Sequence, residues 1–175
     1  MSTTAATRRV LGIDPGSVRT GFGVIEVTGS RSSYVASGVI QTGKGSFAQR
    51  LHIIYTGIAE VIRAHQVSES AIEEVFVSRN IQSALKLGQA RGAAICACAG
   101  DDLAVHEYSA RAIKQALVGS GGADKDQVSY MVRAILSLQG VLREDAADAL
   151  AVALAHTQHD RLSAQIASNK RRAIP

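Results

Sequence analysis

Between Arg8 and Thr42 the chain carries three short apolar runs, joined by turns too brief to hold a helix. Residues 8–14 (RRVLGID) stop at Pro15 and Gly16. Residues 20–28 are rich in Val, Ile and Phe, and residues 34–42 make the third run. Runs of this kind bounded by glycine and proline read as strands, and short glycine-containing connections fold consecutive strands antiparallel. A chain that begins this way is committed to a sheet, and the sheet's other neighbours must come from farther along.

They come in alternation. The segment SFAQRLHIIYTGIAEVIRAHQ repeats Phe47, Leu51, Ile54, Ile58, Val61 and Ile62 at helical spacing, with Ser46 placed to cap the start. ESAIEEVFVS reads as a short inner strand, and IQSALKLGQARGAAICACAG as a helix rich in Ala and Gly. LAVHEYSA is a fifth strand. Helices follow over 110–118 and 124–138, and a last one in EDAADALAVALAH, apolar on one broad face. Strands followed by alternating helices and strands predict an α/β fold, a mixed sheet flanked by helices. A length of 175 residues fits one domain, and no repeat or linker divides it. The reading is a single domain over residues 1–163 and an unstructured basic tail over 164–175, which ends in NKRRAIP.

The first residues, MSTTAATRR, lack the apolar core of a secretory signal, and no apolar run reaches the ~20 residues of a membrane span. Cys96 and Cys98 lie in a small-residue helical run and point to different faces, so they read as free, buried or half-buried thiols of a reducing compartment. The expected location is the cytoplasm, with no membrane partner. A net charge of +4 permits a nucleic-acid partner without demanding one.

Four carboxylates stand out by position. Asp14 closes the first strand, Glu73 lies in the fourth, and Asp145 and Asp148 open the final helix. Residues three apart on a helix share a face. If strands one and four are neighbours, Asp14 and Glu73 reach a common point, and the helix brings its pair against them. Clustered carboxylates cannot all ionise without a counter-charge. A hard cation with oxygen ligands, magnesium or manganese, resolves this. Two such ions suit phosphodiester hydrolysis. Each acid also has an ordinary reading: a turn former at Asp14, a solvated strand residue at Glu73, acids favoured at a helix start at Asp145 and Asp148. His156 is about 12 Å along the helix from Asp148 at 1.5 Å per residue, too far to share its ion. With His159 it reads as part of a solvated helix end.

GIDPGSVRTGFGVI, AIEEVF, SALKLGQARG, KQALVGSGGADKDQV and DAADALAVALAH, in this order and spacing, resemble the RuvC family of bacterial Holliday-junction resolvases. The resemblance covers roughly residues 10–156. It implies an RNase H-like fold, a five-stranded mixed sheet with helices on both faces. It also implies a homodimer that cuts four-way junction DNA by paired symmetrical nicks, using magnesium (manganese as a substitute) with two ions per site. Asp14, Glu73, Asp145 and Asp148 match the family's catalytic carboxylates, Phe76 an aromatic that stacks on bases at the junction centre, and Lys114 and Lys125 two basic residues needed for activity. Arg79 is assigned to DNA binding with them. Leu85, Gly88, Gln89 and Gly92, on the helix over 81–99, are assigned to the dimer interface, where the Gly88–Gly92 spacing permits close approach. A partnership with the RuvA–RuvB branch-migration complex is implied as well. Without the resemblance, Phe76 reads as core, both lysines as solvated, and the small-residue face as packed on the protein's own sheet.

Three other functions remain at this point. An actin-like ATPase shares the Asp-bearing first hairpin but needs two lobes. A YqgF-type nuclease acting on RNA would use the same acids. A non-catalytic junction-binding module would not need four carboxylates near phosphates, which weaken binding.

Overall fold

The computed structural model describes residues 6–75 and 80–172, the last three of these by backbone alone. Ten elements follow in order: β1 (Thr7–Asp14), β2 (Arg19–Thr28), β3 (Arg31–Gln41), α1 (Phe47–His65), β4 (Glu69–Glu73), α2 (Ile81–Gly100), β5 (Val105–Tyr108), α3 (Ala110–Val118), α4 (Lys125–Leu136) and α5 (Glu144–Arg172). The sheet order is β3-β2-β1-β4-β5. β1, β2 and β3 form the antiparallel meander, and β4 and β5 add in parallel. The mixed five-stranded sheet with helices on both faces is therefore as expected.

Side-chain alternation along β1 divides the core in two. Leu11 and Ile13, with Val24 and Ile72, face α1 and α2. Val10, with Ile25 and Ala71, faces α3, α4 and α5. Capping residues set where the helices begin. Ser46 and Asp124 both form reciprocal capping boxes, with Gln49 and Gln127, and Ser109 accepts from the backbone of Ala112.

α5 departs from the sequence reading in two ways. Residues 149–157 are buried without a break, so the helix is enclosed on all sides rather than on one face. It also runs 29 residues, to Arg172, where the sequence suggested a domain edge at 163 and an unstructured tail from 164. The physical reason is local: no glycine or proline follows His156 before Pro175 in the sequence, and the residues up to Arg172 sustain helical backbone.

Enclosure requires the helix to lie close on the sheet, and glycines on the sheet permit it. A Cβ built at Gly12 would stand 2.0 Å from the Ala149 carbonyl oxygen, and one at Gly21 would stand 2.0 Å from that of Asp145. Any side chain larger than hydrogen would push α5 away. The same glycines therefore set how near the start of α5 comes to the end of β1.

Candidate active site

β1 and β4 are parallel with Ile13 opposite Ile72, so the next residue on each strand sets Asp14 beside Glu73. Both sit at the carboxyl ends of parallel strands, where open α/β sheets present ligand sites. Asp14 is also opposite Gly21 on β2, the residue against which the Asp145 backbone packs. Asp145 and Asp148 lie in the first turns of α5 and face this point. The four carboxylates line one open cleft of about 800 Å³, together with Lys114, Lys125, Arg19, Arg143 and Glu144.

The electrostatics are those of crowded acids. Burial, then repulsion from Glu73, Asp148 and Asp145, pushes the Asp14 carboxyl up to about 7. Burial and the nearby Asp148 raise Glu73, against the pull of Lys125 and Lys114. Burial also raises Asp148, although Lys125 opposes it. Lys125 Nζ donates to Glu144 at 2.6 Å and to Asp148 at 3.4 Å. Its own pKa is raised, by the Glu144 hydrogen bond first. Even with Lys125 and Lys114 at the cleft, Asp14, Glu73 and Asp148 stay raised. A crowded all-oxygen donor set of this kind fits a hard divalent cation.

Of the residues singled out in the sequence, Asp14, Glu73, Asp145, Asp148, Lys114 and Lys125 are thus brought together. Phe76 and Arg79 lie outside the described residues. Leu85, Gly88, Gln89 and Gly92 are on α2, which packs on the opposite face of the sheet. Leu85 is 63% exposed, and a Cβ at Gly88 or Gly92 would meet nothing within 4 Å. The alternative, that this small-residue face packs on the protein's own sheet, is corrected: Ala90, Ala94, Ala97 and Cys98 do that instead. Cys98 is buried and Cys96 is exposed.

Sequence reasoning missed Arg19, Arg143 and Glu144, which join the cleft. Arg19 could have been found as the first charge after the glycine turn. It also misread the far end of α5. His156 is not solvated but 1% exposed. Its Nε2 lies 3.1 Å from Glu69 and its Nδ1 2.9 Å from the Tyr108 hydroxyl. The carboxylate must accept, so Nε2 carries the proton and Tyr108 donates to Nδ1. Burial lowers the His156 pKa and favours this neutral form. Glu69, His156 and Asp160 bring their ligand atoms within 4.8 Å of one another, a spacing a metal ion would tolerate. Arg8 already supplies the cation there: it pairs with Glu69 and reaches Asp160 at 2.7 Å. We read this group as a salt-bridged clasp between β1, β4 and α5.

The comparisons with known proteins agree with this geometry. The family described as "Crossover junction endodeoxyribonuclease RuvC" matches residues 10–156. A crossover junction endodeoxyribonuclease RuvC of Alkalilimnicola ehrlichii is 52% identical over 90% of this chain and 96% of its own length. That of Thiobacillus denitrificans is 55% identical over 90% and 92%. The structure of T. thermophilus RuvC in complex with Holliday junction substrate superposes with a TM-score of 0.84 at 35% identity, over 89% of this chain and 96% of that one. The yeast mitochondrial Holliday junction resolvase Ydc2, at 12% identity and a TM-score of 0.67, shares the RNase H-like fold.

Proposed function

The chain belongs to the RuvC family of crossover junction endodeoxyribonucleases, and from that premise we propose that it resolves four-way DNA junctions by paired symmetrical nicks, in homologous recombination and DNA repair. The observation that carries the reading is the convergence of Asp14, Glu73, Asp145 and Asp148 from three elements on one cleft. A module that only bound DNA would gain nothing from buried acids that repel phosphate.

Asp14, Glu73, Asp145 and Asp148 would hold two magnesium ions, with manganese as a substitute. When bound, the ions supply an activated water and neutralise charge on the phosphate. The chain's own part is positional. Asp14 and Glu73 are fixed by strand pairing, and Asp145 and Asp148 by the close seating of α5. Lys114 and Lys125 approach from α3 and α4 and meet phosphate oxygens. Lys125 is held at the cleft by Glu144. Phe76 stacks on a base near the junction centre, a contact worth ~1–3 kcal/mol, and Arg79 adds a DNA contact beside it.

Two strands must be cut, so the working unit is a homodimer with its two sites related by a two-fold axis. The exposed α2 face with Leu85, Gly88, Gln89 and Gly92 is its interface. The protein acts in the cytoplasm, alongside a RuvA–RuvB branch-migration complex. Among the described residues no helix is long and apolar enough to cross a membrane.

The test is incubation with a synthetic four-way DNA junction, with and without magnesium, beside linear duplex and an RNA junction. Metal-dependent, symmetrical nicks in the DNA junction alone are expected. Equal cutting of linear duplex, or preferential cutting of RNA, would overturn the proposal.

A further inference from the structure

The β1–β2 turn, residues 15–18, leads from Asp14 to Arg19. Gly16, Ser17, Val18 and Arg19 all line the cleft. The turn is braced from behind. The Ser17 carbonyl accepts from the Arg50 guanidinium. The Val18 carbonyl accepts from the backbone N–H of Thr42 at 3.1 Å. The Thr42 hydroxyl lies within 3.3 Å of the Ser17 carbonyl and 3.1 Å of the Val18 carbonyl, and accepts from Arg50 Nε at 3.1 Å. Thr42 is 1% exposed, and the Phe47 ring lies 5.6 Å from the guanidinium. Arg50 thus grips the turn and the end of β3 with one rigid fork, which a lysine cannot reproduce.

This grip decides what the turn offers the cleft. In a trans peptide the N–H points opposite its C=O. Holding the Ser17 carbonyl against Arg50 directs the Val18 N–H away from Arg50. Beyond it, the Arg19 side chain is 58% exposed, with Nη1 3.9 Å from Asp145, near enough to offset charge and too far to be spent in a hydrogen bond. Lys114 and Lys125 bring positive charge from α3 and α4, and Arg19 brings it from the sheet.

We propose that the β1–β2 turn with Arg19 is a phosphate-binding wall for the DNA strand being cut, and that Arg50 is the positioning residue that holds this wall from outside the cleft. The proposal rests on the nuclease reading above. Arg50 touches no substrate, so its effect must pass through the turn.

Junction affinity in metal-free buffer, measured against salt, tests the wall without any cleavage. Arg19→Gln should lower the salt slope by about one. Single-turnover cleavage then tests the brace. Arg50→Gln and Arg19→Gln should each slow it about tenfold or more, and the double variant should be less than about threefold slower than the worse single one. Arg50→Lys should fail to restore the rate, with a melting temperature at that of the unaltered chain. An unchanged salt slope in Arg19→Gln would overturn the wall. Losses that multiply in the double variant, or full rescue by Arg50→Lys, would overturn the brace. If the unaltered chain nicks no junction with magnesium, the nuclease reading fails, while the salt slope still reports on the wall.

Discussion

On the proposed mechanism Asp14 is a metal ligand, and its environment makes two predictions. Asp14→Asn should abolish cleavage while leaving junction binding intact or tighter, because a metal ligand is lost and a negative charge near phosphates is removed. Binding lost in step with cutting would make Asp14 structural. The second concerns pH in the absence of metal. The fold raises the Asp14 pKa to about 7, so its contribution to stability is complete below the ordinary carboxylate range and is lost as pH rises through about 7. His156 acts in the reverse sense: its lowered pKa adds stability as pH rises toward 6.5. The comparison is therefore made between the unaltered chain and Asp14→Asn. The metal-free melting temperature of the unaltered chain should fall more between pH 5.5 and 8 than that of the variant, and magnesium should raise it more at pH 8, where protons no longer compete. Parallel curves for the two proteins would contradict this assignment of the proton.

At the scale of elements, the distance between α5 and the sheet governs the site. Gly21→Ala places a methyl group against the Asp145 carbonyl oxygen, so the first turn of α5 must move. Overpacking of this kind costs ~1–3 kcal/mol. Cleavage should fall at least tenfold in a protein that still folds, as judged by circular dichroism; a normal rate would mean that α5 is free to slide. Asp14, Asp145 and Asp148 were legible in the sequence because each sits where a strand stops or a helix starts, positions marked by Pro15, Gly16 and the acid-rich EDAAD. The clasp of Arg8, Glu69, His156 and Asp160 was not. It depends on the pairing of β1 with β4 and on α5 crossing them, and nothing local to any of the four announces it. The length of α5 was missed because a basic stretch was read as frayed where no residue breaks the helix.

For the molecule as a whole, the question is how one cleft per chain produces two cuts. Gly88→Glu places a charge on the outer face of α2, where the fold leaves open space. The variant should fold normally, sediment as a monomer, bind junctions at least tenfold more weakly and make unpaired nicks. A dimer that survives this change would move the interface elsewhere. The enclosure of residues 149–157 also bears on how the molecule opens. Backbone amides within a helix that has no solvent-facing side have no local route to water, so they should exchange with deuterium only when the whole domain unfolds. Glu144 and Asp145, one or two turns away, stand at the partly exposed start of the same helix and should exchange early. The first amides of α5, which have no intrahelical acceptor, thus exchange readily while the turn that carries them stays seated on Gly21, anchored to the slowest-exchanging segment of the protein.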